Sequence, residues 1–134
     1  MDFRRAAGPM NFEYSIDVEA NLVRTRCTGA FTIDGLIEEM KKIAEDPLFR
    51  PGMNMLGDYS EGEWIGEVKG MTDFIDFSEE VKEARGSFKS AVILRDEAAR
   101  ELVTMFDLVA RQRDIGMETR GFATAEEALE WLQA

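Results

Sequence analysis

The spacing of hydrophobic residues in this chain changes along the sequence, from every second residue to the three-and-four spacing of helices and back again. Phe12 to Val18 alternates apolar and polar residues, as a strand with one buried face does. Leu22 to Thr28 continues as a second strand, and Ile33 to Ala44 then carries apolar residues at helical spacing. The same exchange of periods continues to the C-terminus. It predicts the element order β-β-α-β-α-β-α-β-α.

This order fixes the fold class. Strands that alternate with helices pair in parallel, because a parallel connection needs a crossover long enough to hold a helix. Only the first strand is followed by a short turn, which makes it an antiparallel edge strand. We therefore predict an α/β fold with a five-stranded mixed, mostly parallel sheet. Since crossovers are right-handed in about 98% of cases, a sheet that grows in one direction carries its helices mainly on one face.

Local signals predict where the elements pair and end. A turn at 20–21 would place Asp17 opposite Arg24 and Ser15 opposite Arg26, so that opposite charges meet on the outer face of the first two strands.

The later strands are predicted from shorter runs, at Met53–Tyr59, Phe88–Leu94 and Met117–Phe122. Phe88–Leu94 is mostly apolar, and we expect both of its faces to be buried at the centre of the sheet. Ser60–Trp64 has glycine at its centre and is predicted to be a connection. Thr124–Glu127 reads as a capping box that opens the last helix.

The net charge and the absence of histidine make two classes of function less favourable for this chain, nucleic-acid binding and catalysis. Sixteen Lys and Arg stand against 27 Asp and Glu, a net charge of −11, whereas a nucleic-acid partner requires a cationic surface. We therefore expect no nucleic-acid partner. The sequence has no histidine, the commonest general base and metal ligand. Any catalysis would therefore have to rest on carboxylates, Lys, Ser, Thr, Tyr or the single Cys. No catalytic centre is recognisable among these, so we expect no catalytic residue, no metal, no cofactor and no enzymatic activity.

The length of 134 residues suits one domain. We assign residues 10–134 to it, and residues 1–9, which have no periodicity, to a flexible N-terminal leader. No apolar run predicts a signal peptide or a transmembrane segment. Cys27 is the single cysteine, so an intrachain disulfide is impossible, and we expect a cytoplasmic protein. Cys27 falls on the apolar face of its strand and is predicted to be a small buried hydrophobe.

Three segments carry a resemblance to a known family: Thr32–Leu36 (TIDGL), Asp46–Gly52 (DPLFRPG) and Ala123–Leu132 (ATAEEALEWL). With the element order above, they resemble STAS-like proteins, and more narrowly the SpoIIAA-like group of mostly uncharacterised bacterial proteins. The resemblance runs from about Met10 to the C-terminus. It implies a single STAS-like domain with a helical layer on one face of the sheet. It also implies a role in binding a protein partner or a small ligand, without catalysis.

The segment after the strand Met53–Tyr59 is the first candidate site, because open α/β sheets bind ligands beyond the carboxyl ends of their strands. The candidate binding residues are Asp58, Ser60, Glu61, Glu63, Trp64 and Ile65. They would contact a partner, a ligand or a weakly held divalent cation; a solvated acidic loop is the alternative. Anti-sigma factor antagonists carry an Asp-Ser-Ser/Thr-Gly phosphorylation motif here, whereas this chain reads LGDYSEG. Ser60 is thus either a phosphosite or a turn serine.

Three functions remain open from the sequence. The first is a non-catalytic STAS-like module that binds a protein partner or forms a homodimer, for which the apolar arc of Leu102 to Ala110 offers a surface. The second is a carrier of a small apolar or lipid-like ligand, held between the helix of Phe74 and Phe77 and its neighbours. The third is a carboxylate-dependent enzyme, which needs a deep cleft with two converging acids.

Overall fold

The computed structural model describes residues 8–66 and 69–134 and contains one five-stranded sheet in the order β1-β2-β3-β4-β5. The strands are β1 (Asn11–Asp17), β2 (Leu22–Phe31), β3 (Asn54–Trp64), β4 (Phe88–Ile93) and β5 (Met117–Phe122). β1 pairs antiparallel with β2, and every later pair is parallel. The predicted mixed, mostly parallel sheet is therefore confirmed.

Five helices in the described residues join or follow these strands: α1 (Ile33–Ala44), α2 (Lys69–Glu80), the short α3 (Lys82–Arg85), α4 (Glu97–Gln112) and α5 (Ala125–Gln133). Three of them begin at a side-chain cap. Thr32 and Asp96 accept hydrogen bonds from the backbone at the starts of α1 and α4. The predicted capping box at α5 is confirmed, since the Thr124 hydroxyl accepts a hydrogen bond from the Glu127 N–H.

The two faces of the sheet are covered differently. The crossover helices α1, α2 and α4 lie on one face, which we call the crossover face; Val23 and Met55 point into it. Their neighbours Leu22 and Leu56 point to the other face, where α5 packs through the buried Ala128; we call this the α5 face. Helices thus lie mainly on one face, as predicted. α5 is the exception because it follows the last strand and is not part of a crossover, so the handedness rule does not act on it.

The β1–β2 hairpin has a different register from the predicted one. Asp17 pairs with Leu22, and Ser15 pairs with Arg24, a slip of two residues. The turn is longer than the predicted two residues, and the Asn21 N–H donates to the Val18 carbonyl within it. A slip of two leaves every side chain on its predicted face, because the period of a strand is two. The hydrophobic pattern therefore could not detect this error.

The prediction that Ser60–Trp64 is a connection is wrong, because β3 continues to Trp64 beside a β2 that continues to Phe31. Gly62, the glycine at the centre of the predicted connection, lies opposite Gly29 of β2 in this extension. A Cβ atom on Gly62 would lie 3.1 Å from the Cys27 carbonyl oxygen and 3.1 Å from the Phe31 ring. Glycine is required here for a close approach of two strands rather than for a turn.

The predicted flexible leader, residues 1–9, lies at the N-terminus. Residues 1–7 of the predicted leader lie outside the described residues. Gly8 belongs to the described chain, and its carbonyl accepts a hydrogen bond of 3.0 Å from the Ala30 N–H.

Candidate functional site

An apolar cavity of about 200 Å³ lies on the crossover face of the sheet. Its floor is formed by side chains of the middle strands, among them Met55 of β3 and Ser90 and Val92 of β4. Phe74 of α2 and Phe106 of α4 are part of its walls. The sheet and the helical layer therefore leave between them a half-open space that core side chains do not fill.

Besides Met55, the floor of the cavity contains several residues with small side chains. Gly57 is one of them, and the Tyr59 ring occupies the position that a side chain there would take: a Cβ atom would lie 2.7 Å from the Tyr59 Cε1 atom. Above the floor, Phe74 and Phe106 contact each other, with ring centroids 5.8 Å apart. Ser90 and Val92 are consequently only half-buried. The prediction that both faces of this strand are buried is thus wrong for the crossover face.

Aromatic residues form the end of the cavity near the last residues of β2 and β3. The Phe31 and Tyr59 rings lie 5.3 Å apart, and Trp64 packs into the same cluster. Burial raises the pKa of the Tyr59 hydroxyl well above its usual value. The Trp64 Nε1 atom is buried and has no hydrogen-bond partner within the described residues. This end of the cavity is therefore apolar, with one unused N–H donor.

Arg85 lines the opposite end of the cavity and is 8% exposed. Its Nη2 atom donates to the Met55 sulfur at 3.0 Å. The guanidinium carbon lies 4.6 Å from the ring centroid of Phe88 and 5.6 Å from that of Phe49. Burial lowers the pKa of this guanidinium to about 10, which still leaves it charged at neutral pH.

The acidic part of the predicted site is separate from the cavity. Ser60 donates hydrogen bonds to one Asp58 oxygen from both its backbone nitrogen, at 2.9 Å, and its hydroxyl, at 2.6 Å. Glu61 forms an ion pair with Arg26 on the neighbouring strand. Glu63 is exposed.

The structure therefore divides the six predicted residues. Trp64 belongs to the cavity, whereas the acids and Ser60 do not line it: Asp58 and Ser60 are half-buried, and Glu61 and Glu63 are exposed. Ile65 is 45% exposed, and its backbone N–H donates to the Phe31 carbonyl. No group of three or more Cys, Asp or Glu side chains in the described residues is arranged to hold a metal ion.

The two phenylalanines of the ligand-carrier hypothesis occupy different places. Phe74 lines the cavity. Phe77 is buried in the core with Val23 and Met40 and does not line the cavity.

Arg85 is not among the candidate residues predicted from the sequence. One signal was present, because Arg85 falls four residues after Val81, on the apolar face of the helical segment.

Cys27 lies in the core beside the aromatic end of the cavity and has no exposed surface. Burial raises the pKa of its thiol to about 11, above an ordinary value near 9. Such a thiol is a weak nucleophile at neutral pH.

In the described ranges, no helix has both the length and the apolar character needed to span a bilayer.

Comparison with known proteins bears on the fold. No family model matches the sequence, and no curated protein is similar to it. Among solved structures, the chain is similar to an uncharacterised protein of the DUF3478 family with a SpoIIAA-like fold from Shewanella loihica PV-4. The two share 15% sequence identity with a TM-score of 0.64, over 93% of this chain and 96% of the other. The predicted SpoIIAA-like fold is therefore confirmed, whereas an identity this low carries no function across.

Proposed function

We propose that this chain is a non-catalytic binding protein whose cavity on the crossover face holds a small apolar or amphipathic ligand. The observation that carries the proposal is the cavity itself, of about 200 Å³ and lined mostly by apolar side chains. Ligand sites in proteins are concave and mostly apolar, with a few polar groups that orient the ligand. The cavity has this character, because its mostly apolar wall also carries Arg85, the Trp64 indole N–H and a few hydroxyl groups, among them Ser90.

The volume limits the size of the ligand. An engineered apolar cavity of roughly 150 Å³ stays dry and binds benzene. A cavity of about 200 Å³ therefore suits a molecule with on the order of ten non-hydrogen atoms. Half-buried floor residues such as Val92 gain burial when such a molecule enters, which supplies a hydrophobic driving force.

The first experiment is native mass spectrometry of freshly purified protein, with 1-octanol added afterwards as a neutral probe. We expect either a retained small organic molecule or one bound 1-octanol per chain, with an affinity that tryptophan fluorescence can follow through Trp64. Protein that carries no adduct and binds no 1-octanol would contradict the proposal.

Paired substitutions locate the binding. Val92→Phe places a ring in the cavity, and we expect it to lower the affinity for 1-octanol at least about tenfold because the ring takes up the ligand's space. Val18→Phe is the matched control, since Val18 is 48% exposed and does not line the cavity. Equal affinities in the two variants would place the bound probe outside the cavity.

Binding of a protein partner, a second copy of this chain included, is the second candidate function. The observation that favours it lies on α4, where Met105 is 61% exposed, Leu108 58% and Val109 49%. These residues stand at helical spacing on one face, and contiguous exposed apolar surface is typical of interaction sites. Sedimentation velocity should then show a dimer that Leu108→Lys dissociates. A wild-type chain that sediments as a monomer at all concentrations would remove self-association.

A further inference from the structure

Arg85 is buried without a counterion. No Asp or Glu oxygen in the described part of the chain lies within 4.0 Å of its guanidinium, and its Nε atom is buried with no hydrogen-bond partner. Arg85 is the one buried arginine among residues 8–66 and 69–134. Arg113, in contrast, lies at the surface and pairs with Asp76 and Glu79. Arg85 therefore stands out as the cation whose charge the fold leaves uncompensated.

Such an arrangement is costly unless something completes it. A buried charge without a partner carries a desolvation penalty that natural proteins normally offset by an ion pair or a ligand. The rings of Phe49 and Phe88 and the Met55 sulfur attract a cation weakly. They supply no negative charge. An anion is the missing partner that the chemistry of this side chain calls for.

The cavity provides the route by which an anion reaches Arg85. Arg85 lines its wall beside Ser90, which pairs in register with Met55, the residue whose sulfur contacts the guanidinium. Away from this end the wall is mostly apolar and uncharged, with Phe74 and Phe106 over the floor. A ligand that satisfies both regions has an anionic head and a short apolar tail.

We propose that the ligand of this cavity is a small amphipathic carboxylate whose head group pairs with the Arg85 guanidinium. The inference rests on the proposed binding function and names the class of ligand. Arg85 is the sole charged residue among the described residues that line the cavity. One guanidinium balances one negative charge and matches the planar fork of a carboxylate. A phosphate dianion would retain an uncompensated charge in an apolar site.

The test compares three probes of equal chain length by isothermal titration calorimetry at pH 7.5: octanoate, 1-octanol and octyl phosphate. We expect the wild-type protein to bind octanoate about tenfold or more tightly than 1-octanol, the factor typical of a hydrogen bond to a charged group. Octyl phosphate should bind more weakly than octanoate.

Three variants assign the preference to one side chain. Arg85→Met should lower the affinity for octanoate about tenfold and leave that for 1-octanol within about twofold. It removes an unpaired buried charge, so its melting temperature should equal or exceed that of the wild type, which shows that the fold is intact. Arg85→Lys keeps the charge and should retain part of the preference. Arg24→Met is the control, because Arg24 is exposed and outside the cavity lining.

The outcomes separate the two proposals. Equal affinities of the wild type for octanoate and 1-octanol would overturn the assignment of an anionic ligand while the binding function stands. Tighter binding of octyl phosphate than of octanoate would overturn the carboxylate class. An unchanged octanoate affinity in Arg85→Met would remove Arg85 from recognition. Failure of all three probes to bind would overturn the binding function and this inference with it.

Discussion

Substitution of Asp107 should lower the free energy of unfolding, because its buried carboxylate joins α4 to the edge strand β5. One Asp107 oxygen accepts a hydrogen bond of 2.9 Å from the Thr119 backbone N–H, and the other lies 2.9 Å from the Arg111 Nε atom. Asp107 and Thr119 are 7% and 6% exposed. An edge strand presents backbone groups that have no neighbouring strand to pair with. Asp107 satisfies one of these groups on β5.

The magnitude follows from the two contacts. Asp107→Ala leaves the buried Thr119 N–H without an acceptor, which costs about 1–3 kcal/mol. It also breaks the pair with Arg111, whose side chain is 55% exposed, and an exposed pair contributes at most about 1 kcal/mol. The total loss in the free energy of unfolding is about 1–4 kcal/mol. For a domain of this length that loss lowers the melting temperature by roughly 10 °C.

Two further variants separate the contacts. Asp107→Asn keeps an oxygen for the Thr119 N–H and loses the charge, so it should cost about 1 kcal/mol. Arg111→Ala breaks the pairs with Asp107 and Glu118 and leaves the buried Asp107 carboxylate without its cation, so it should cost about 1 kcal/mol or more. Urea unfolding followed by circular dichroism measures all three. The reasoning is refuted if Asp107→Ala is no more destabilising than Asp107→Asn, which keeps the acceptor for the Thr119 N–H.

Three other substitutions test separate parts of the structure. Gly57→Ala forces the Tyr59 ring away from the cavity floor, and we expect it to cost about 1–3 kcal/mol and to weaken 1-octanol binding; an unchanged melting temperature would contradict this. Because the Cys27 thiol ionises near pH 9 in the unfolded chain and near 11 in the folded chain, the unfolded chain binds fewer protons in this window. The free energy of unfolding should therefore fall as pH rises from 9 to 11, and Cys27→Ala should show a smaller fall; parallel urea-derived curves would count against the assignment. Arg26→Ala breaks the exposed pair with Glu61 and should lower the free energy of unfolding, measured in urea, by less than about 1 kcal/mol. A larger loss would contradict this and show that the pair between β2 and β3 contributes substantially to stability.

The fold was predictable because periodicity and connection length act locally and agree with each other. The capping box at Thr124 and the exchange of two-residue and helical periods survive in the structure without change. Errors arose where one local signal has two causes. Gly62 resembled a turn residue, yet it is needed because the Phe31 ring and the Cys27 carbonyl lie close to the position that a Cβ atom would take. A glycine required by tertiary contact is indistinguishable in the sequence from a glycine required by a turn.

The candidate site was less predictable because its parts come from distant segments. Trp64 was selected for its position near a strand end, and the structure places it at the cavity. Arg85 was overlooked, since its burial depends on Phe49 and Phe88, which approach it from separate loops and strands. The acids were selected by type and proximity in sequence, and Glu61 is instead paired with Arg26 across the strands. Ion pairing across a sheet depends on register, which the hydrophobic pattern leaves open by two residues.

The two faces of β4 differ in how closely they are packed, and we assign stability to one face and ligand binding to the other. On the α5 face, Ala91 is fully buried, because the equally buried Ala128 is small and lets the helix approach the strand closely. On the crossover face, the adjoining Ser90 is half-buried, since the contacting rings of Phe74 and Phe106 lie above the floor and leave space below them. Side chains that border an unfilled space lose dispersion contacts and contribute less to the free energy of unfolding. We therefore expect the packing of β4 against α5 to contribute more to stability than its crossover face does. The same strand therefore presents an unfilled surface on one side, whereas Ala91 and Ile93 on its other side are buried against α5.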